Sequence, residues 1–500
     1  MLFNSFEFLF LFLPVTLVIY TLLCRLRNPV WPLAWLLFAS LLFYGWWHPA
    51  YVALLLISIG INFFVGQVLR SQGVARAQRK RLLVAGIIFN LGLLAWFKYA
   101  DLLAQSFSRI SGTEFDSLGI VLPLAISFFT FQQIAYLVDA YRGRVKHADL
   151  MRYSVFVAFF PQLIAGPIVH HSEMLPRLND ASRNRFDPQG MAEGVSFFAI
   201  GLCKKVVVAD SLAQLANPVF SQAVSSGTFN SADYTIALLA FSLQIYFDFS
   251  AYSDMAIGLG RMFSVQLPIN FNSPYKAVNI IDFWRRWHMT LSRFLKEYLY
   301  IPLGGNRKGS ARRYLNLMIT MLLGGLWHGA QWQFVVWGLL HGIYLTIAHG
   351  FHYICTKQRL SFQSPRLRRI LAQVLTLLAV VISWLFFRAT SISEAWAMLG
   401  RILSFDGFTL SAAYQSTLVG SNIVQVLPAR LSTELAVFSS LLLLVVWVLK
   451  LPNSQQLVLN PEQQSRQWRP NKAWATAIAC LFVLSVLNLG QINEFIYFQF

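Results

Sequence analysis

Charge is scarce in this chain. Only 12% of its 500 residues are Asp, Glu, Lys or Arg, about half the usual share of roughly 25%. That excludes disorder maintained by charge repulsion, and it excludes a charge-laced coiled coil. Cysteine is scarce too. Cys24, Cys203, Cys355 and Cys480 stand far apart with no C-x-x-C pair, which offers neither a disulfide framework nor a zinc knuckle. Low-complexity tracts and repeat periods are absent, so a solenoid is not expected. No histidine is followed five residues on by aspartate, and no G-x-S-x-G elbow, P-loop or dinucleotide fingerprint occurs. Any acyl chemistry must use a site of another kind.

What is present is apolar. Hydrophobic residues make up 56% of the chain, aromatic residues 15%, with 43 Phe and 15 Trp, and the mean hydropathy is +0.55. Soluble domains sit near about 45–50% apolar, so the expected fold class is an all-α polytopic membrane protein. The 40 Lys and Arg outnumber 21 Asp and Glu, for a net charge of +19. With no basic-plus-aromatic module in view, no nucleic-acid partner is expected; the excess fits basic loops on the cytoplasmic side. The opening MLFNSFEFLFLFLPVTLVIYTLL lacks a basic n-region and a small-residue cleavage site, and reads as a retained first span.

Apolar runs at 6–23, 31–47, 51–69, 82–98, 120–140, 153–168, 192–209, 234–260, 314–328, 332–350, 370–388, 434–450 and 473–490 suggest about 11–13 crossings, several short enough to be tilted or re-entrant. Arg25 and Arg27, the cluster Arg70 to Arg81, then Arg142, Arg144 and Lys146, and later Lys357 to Arg369 mark inner loops. This places the N-terminus outside. The mixed charges Lys98, Asp101, Arg109, Glu114 and Asp116 suit an outer loop. The middle of the chain, from about 150 to 350, resists this alternation. There the stretch 280–301 has apolar Trp284, Trp287, Leu291, Leu295 and Leu299 interrupted by Arg285, Arg286, Arg293, Lys296 and Glu297. It is expected to be one amphipathic helix, interfacial or lining a polar cavity, opened by Asn279 and Asp282.

Ionisable residues within apolar runs mark a functional site or a paired structural contact. His328, in LGGLWHGAQW, is the sharpest candidate. Gly324, Gly325 and Gly329 around it permit close backbone approach, and a neutral imidazole suits a general base acting on a hydroxyl. A core histidine bonded to a neighbouring helix is the alternative. His288, in WRRWHMTLS, has Trp284 and Ser292 one turn away on a continuous helix, and headgroup anchoring is the alternative there. Asp248 and Asp254 in QIYFDFSAYSDMAIGLGRM lie six residues apart, so on one helix they are not an acid/base dyad. They suit polar helix contacts or the wall of a wet cavity. His170 and His171 precede Glu173 without a recognisable third ligand, so no metal is expected. His341, His349 and His352 share a helix face, and nothing completes a ligand set.

Taken in order, FNSFEFLFLFLP, FFPQLIAGPI, GLCKKVVVAD, YFDFSAYSDMAIGLG, DFWRRWHMTLSRFLKEYLYIPLGGNRKG, MLLGGLWHGA and FIYFQF resemble the membrane-bound O-acyltransferase superfamily, and within it the bacterial alginate O-acetylase membrane-subunit branch. One departure is His170 and His171 after AGPIV, where a basic or aromatic residue is usual in that branch. The resemblance implies a single membrane domain over 1–500: N-terminal helices to 150, a catalytic core over 151–350, and C-terminal helices from 351. It also implies a ring of transmembrane helices with re-entrant pieces around a funnel. The family's catalytic histidine falls on His328 and a second important histidine on His288. Acetyl-CoA would be the donor substrate, with no permanently bound cofactor. The acceptor would be an extracytoplasmic polysaccharide hydroxyl at the bacterial inner membrane, served directly or through a periplasmic SGNH-hydrolase-type partner. Candidate substrate contacts are Asp248, Asp254, Trp284, Asn306, Arg307 and Trp327, with Lys308, Arg312 and Arg313 placed to meet the donor's phosphates. Asn306 is also a candidate for stabilising the oxyanion. A transporter or flippase, and a non-catalytic scaffold of a polysaccharide export complex, are the competing classes.

Overall fold

The computed structural model describes residues 1–26, 28–112, 118–145, 149–179, 187–222, 224–357, 364–418, 421, 432–459, 468–490, 495 and 496. Arg27, Glu114, Asp116, Lys146 and Arg359, used above to orient loops, lie outside these residues, as do the last four residues of FIYFQF and the side chain of Arg109.

The described residues are helical, with no strand among them. A bilayer offers no water to exposed backbone groups, and helices satisfy their own. Six helices are long and apolar enough to span: Pro49–Arg70, Arg76–Ser108 (continuous through a π-turn), Ser231–Met262, Trp332–Lys357, Pro365–Arg388 and Thr433–Lys450. Phe8–Leu23, Val30–Gly45 and Lys472–Leu487 are shorter apolar helices. This is a multi-pass membrane protein. The long helices differ in what surrounds them. Ser231–Met262 is 89% buried along its apolar window, whereas Arg76–Ser108 is 22% buried, leaving residues such as Ile88 for lipid. Other expected spans are short or broken. The run 120–140 becomes the helix Ile126–Tyr141, and 153–168 splits into Leu150–Ala158 and Phe160–Leu163.

The chain folds into two compact units. One comprises residues 1–202, 252–269 and 468–499. Its helix Ile126–Tyr141 is almost wholly buried. Pro49–Arg70 reaches that helix at Gly66, where a β-carbon would stand 2.3 Å from the Tyr136 ring. Asn62 and Asn90 join Pro49–Arg70 to Arg76–Leu94 by amide hydrogen bonds of 2.6 and 3.2 Å, polar glue suited to lipid-embedded helices.

The other unit comprises 203–251, 270–467 and 500. Here Gly309–His328 crosses Trp332–Lys357 at glycines. A β-carbon at Gly325 would lie 2.2 Å from the Phe334 carbonyl oxygen, and one at Gly338 would lie 2.4 Å from that of Met321. Of the three glycines read for close approach, Gly325 meets facing backbone and Gly329 the Phe334 ring at 2.2 Å, while Gly324 does not, a β-carbon there meeting only the Leu295 side chain at 3.2 Å.

The expected single helix over 280–301 is corrected. It is two pieces: Ile280–Trp284, and Met289–Leu295 running on through a π-turn Lys296–Tyr300. Asn279 does open the first, its side chain accepting the Asp282 amide at 2.8 Å. The interruption falls at His288, in the left-handed region at φ 42° and ψ 54°. Ser292 stands one helical turn on, its amide donating to the His288 carbonyl at 3.0 Å, but Trp284 belongs to the helix before the break and does not flank His288 on one helix. Amphipathic spacing gives no sign of such a break, because it is made by a residue outside the segment.

Candidate active site

That residue is Asn270. Its side-chain oxygen accepts from His288 Nδ1 at 3.1 Å, from the Thr290 amide at 3.2 Å and from Thr290 Oγ1 at 2.8 Å. Its backbone oxygen accepts the Met289 amide at 2.9 Å. Left-handed geometry costs a non-glycine residue roughly 1–2 kcal/mol, and four bonds from one partner offset it. With Nδ1–H donating, Nε2 is the acceptor nitrogen of the neutral ring. His288 is fully buried, with the Phe249 ring edge-on at 4.8 Å.

His328 is the last residue of Gly309–His328. The crossing at Gly325 brings this helix end down onto Trp332–Lys357, so the imidazole meets Trp337 at 5.0 Å and its neighbour Trp327 at 5.0 Å, with Phe387 at 5.4 Å. His288 and His328, 40 positions apart in sequence, stand 6.5 Å apart by ring centroid. Trp327 lies 6.0 Å from His288 and completes that wall.

A third histidine adjoins them. His341 packs on Trp337 at 4.7 Å. Its Nδ1 accepts from Trp284 Nε1 at 3.3 Å, and its Nε2–H donates to Ser383 Oγ at 3.0 Å, which in turn donates to the Val380 carbonyl at 2.7 Å. Both ring nitrogens are committed, so His341 holds the aromatic wall in place. Trp284, a candidate substrate contact, spends its N–H on that anchor. Of the three histidines, His328 alone retains exposure, at 4% against 0% for His288 and His341.

Asp248 is buried, and Lys205 Nζ lies 2.8 Å from its carboxylate and 2.8 Å from that of Asp210. This ion network satisfies Asp248 as a structural element of its unit. Asp254, also buried, falls in the other unit. Asn306 and Arg307 are exposed at the opposite end of Gly309–His328. A 20-residue helix spans about 30 Å at 1.5 Å per residue, so Asn306 cannot stabilise an oxyanion formed at His328; it accepts a hydrogen bond from Tyr300. Spacing within one segment could not reveal Asn270, the anchoring role of His341 or the bond of Lys205 to Asp248, because each acts across elements, whereas Lys205 and Asp210 pair within five residues. The buried basic residue in GLCKKVVVAD was the one available signal.

In the other unit, Asp139 Oδ2 meets His170 Nε2 at 2.9 Å and His171 Nε2 at 3.2 Å, a cluster of ligand type whose donor atoms lie within 4.8 Å of one another. Arg142 and Arg144 approach the other carboxylate oxygen at 3.5 and 3.4 Å. Burial of His171 lowers its pKa more than the adjoining Asp139 raises it. Two guanidiniums on the shared carboxylate oppose a cation there.

The family model for membrane-bound O-acyltransferases matches residues 139–391, which include His288, His328 and His341. The chain is 44% identical to a peptidoglycan O-acetyltransferase of Helicobacter pylori over 82% of this chain and 81% of that one. It is 37% identical to a probable alginate O-acetylase of Azotobacter vinelandii over the whole of both, and 28% identical over 45% of its length to a teichoic acid D-alanyltransferase of Streptococcus thermophilus. The chain belongs to the membrane-bound O-acyltransferase family, and is a multi-pass membrane O-acyltransferase.

Proposed function

We propose that the chain transfers an acetyl group from cytoplasmic acetyl-CoA to a hydroxyl of an extracytoplasmic polysaccharide, with His328 as general base. The observation that carries this reading is the pairing of His328 with His288 inside an aromatic enclosure. The acceptor oxygen attacks the thioester carbonyl as His328 takes its proton; the new C–O bond forms, the C–S bond breaks, and the proton passes to the departing thiolate. Such a base contributes about 10²–10⁴-fold.

The roles of the two histidines follow from where their helices end. His328 stands at a helix C-terminus, where the partial negative charge favours the imidazolium formed during attack. His288 caps a helix N-terminus, where the opposite potential favours the neutral ring. His328 therefore takes the proton, and His288 orients the substrate. Because His328 is only 4% exposed, entry of substrate requires the aromatic rings packed on it to move.

Arg307, Lys308 and Arg312, exposed at the far end of the His328 helix, are suited to the donor's phosphates, which lie a long arm away from its thioester. The acceptor is a cell-envelope polysaccharide, as the names of the relatives suggest, reached directly or through a periplasmic SGNH-type partner. The setting is the bacterial inner membrane with the N-terminus periplasmic. The test replaces His328 by Ala, verifies membrane abundance, and follows labelled acetyl from acetyl-CoA into polysaccharide. Loss of incorporation with normal glycan export is expected. Retained incorporation refutes the base, and lost export together with lost incorporation favours the flippase or scaffold class.

A further inference from the structure

We infer that the unit containing the N-terminal helices carries a binding site for the phosphate of an anionic phospholipid, at the recess formed by Arg76, Arg79, Tyr141, Arg142 and Arg144. The recess is open and has a volume of about 620 Å³. Four of its five lining side chains are guanidiniums, which match phosphate oxygens by paired N–H donors, and Tyr141 adds a hydroxyl.

Arg76 and Arg79 occupy the first turns of Arg76–Leu94, a helix whose N-cap, Ala75, supplies no side-chain acceptor. Its first amides and its positive end therefore remain available to an anion. Arg79 is held by one bond, Nη1 to the Leu69 carbonyl at 3.3 Å, while its buried Nε has no hydrogen-bond partner among the described residues.

Arg142 and Arg144 are positioned from beneath. Both lean on Asp139, whose second oxygen is held by His170 and His171. Asp139 touches two of the four guanidiniums that line the recess, and its single negative charge leaves the recess strongly positive. This accounts for the histidine pair as the brace of an anion site rather than the ligands of a metal.

The phosphate has two conceivable sources, a headgroup or a soluble phosphoester. The recess lies where the two spanning helices Pro49–Arg70 and Arg76–Ser108 meet their connecting turn. Phe64 and Val68 run down one helix from that turn, Val84 and Ile88 down the other, all exposed and each pair one turn apart on a single face. A lipid can place its phosphate among the arginines at this turn while its chains lie in the bilayer beside the two spanning helices, whose exposed apolar residues face it; a soluble phosphoester has no such second anchorage.

The full-length protein, delipidated in mild detergent, is titrated with phosphatidylglycerol or phosphatidylcholine and bound lipid is read by native mass spectrometry. Preferential retention of phosphatidylglycerol is expected. Each arginine neutralised should weaken it about fivefold, so Arg79→Gln with Arg144→Gln should lower it about 25-fold while leaving phosphatidylcholine unchanged. Arg76→Gln, an exposed position, should lower it about fivefold and serves if the double variant melts early. Equal retention of the two lipids, or variants that bind phosphatidylglycerol like the parent, overturns the site. Displacement of phosphatidylglycerol by coenzyme A or inorganic phosphate overturns the lipid as its ligand.

Discussion

Asn270→Ala is the substitution that most directly tests whether His288 is held for function. It deletes one acceptor serving three donors: His288 Nδ1–H, the Thr290 amide and the Thr290 hydroxyl. At about 1 kcal/mol net for each buried hydrogen bond, and more where a donor is left unsatisfied, the loss is about 3 kcal/mol or greater. The left-handed turn at His288 stores roughly 1–2 kcal/mol. The bonds exceed the strain in the parent and no longer do so in the variant. Residues 285–288 are then free to relax toward ordinary helix, which rotates the imidazole away from His328. A deficit of about 3 kcal/mol, if expressed in the transition state, is about 100-fold in rate. The assay is acetyl transfer per folded molecule in proteoliposomes, with melting measured on the same preparation. Asn270→Asp is the informative companion. It preserves the acceptor oxygen and should restore melting, but its carboxylate beside Nδ1 favours the charged ring. If His288 must be neutral, the acid limb of the rate profile moves to higher pH. Parental turnover and melting in Asn270→Ala would refute the reasoning. So would an aspartate variant that melts as early as the alanine variant.

Gly325→Ala and Gly338→Ala each drive a methyl to within 2.4 Å or less of a carbonyl oxygen on the facing helix; each should destabilise by about 1–3 kcal/mol, visible as early melting in detergent. His341→Ala strands Trp284 Nε1 in a buried site and removes the donor to Ser383 Oγ, which keeps its bond to the Val380 carbonyl. It should lower folded yield, yet the folded fraction should keep far more activity than His328→Ala, as measured by turnover per folded molecule. Lys205→Met leaves Asp210 and Asp248 buried together without their cation, a loss of about 3–5 kcal/mol; adding Asp248→Asn should recover part of the membrane abundance. Arg307→Ala should raise KM for the donor with little change in kcat, whereas Asn306→Ala should alter neither by more than about twofold.

The helical class was legible because lipid leaves the backbone few options, and long apolar runs such as 332–350 and 370–388 mark spans directly. The break at His288 was not legible from its own segment. The heptad-like recurrence of Trp284, Leu291 and Leu295 describes a helix, and the force that interrupts it comes from Asn270, 18 positions earlier in the chain. Asp248 shows the same limit. Its place in an apolar run announces a special residue, but whether it meets substrate or a buried lysine depends on Lys205, which lies on a separate element. The reverse holds for the glycines near His328. Close approach follows from residue type alone, since only an absent side chain permits it, and Gly325 and Gly329 are found where that reasoning puts them.

The break at His288 also bears on why the site is built from broken elements. Continuous helix over 280–301 would need no help from Asn270 and would avoid the left-handed residue altogether. It would also direct a histidine at 288 outward along one helix face, away from the end of Gly309–His328. Interrupting the helix turns the imidazole through a short cap and brings it within 6.5 Å of His328. It also sets the start of one helix opposite the finish of another, so the two rings meet potentials of opposite sign. An uninterrupted pair of helices would give both rings similar surroundings and no division of roles. On the roles proposed above, the strain at His288 is what sets the two histidines apart, and releasing it should lower turnover per folded molecule.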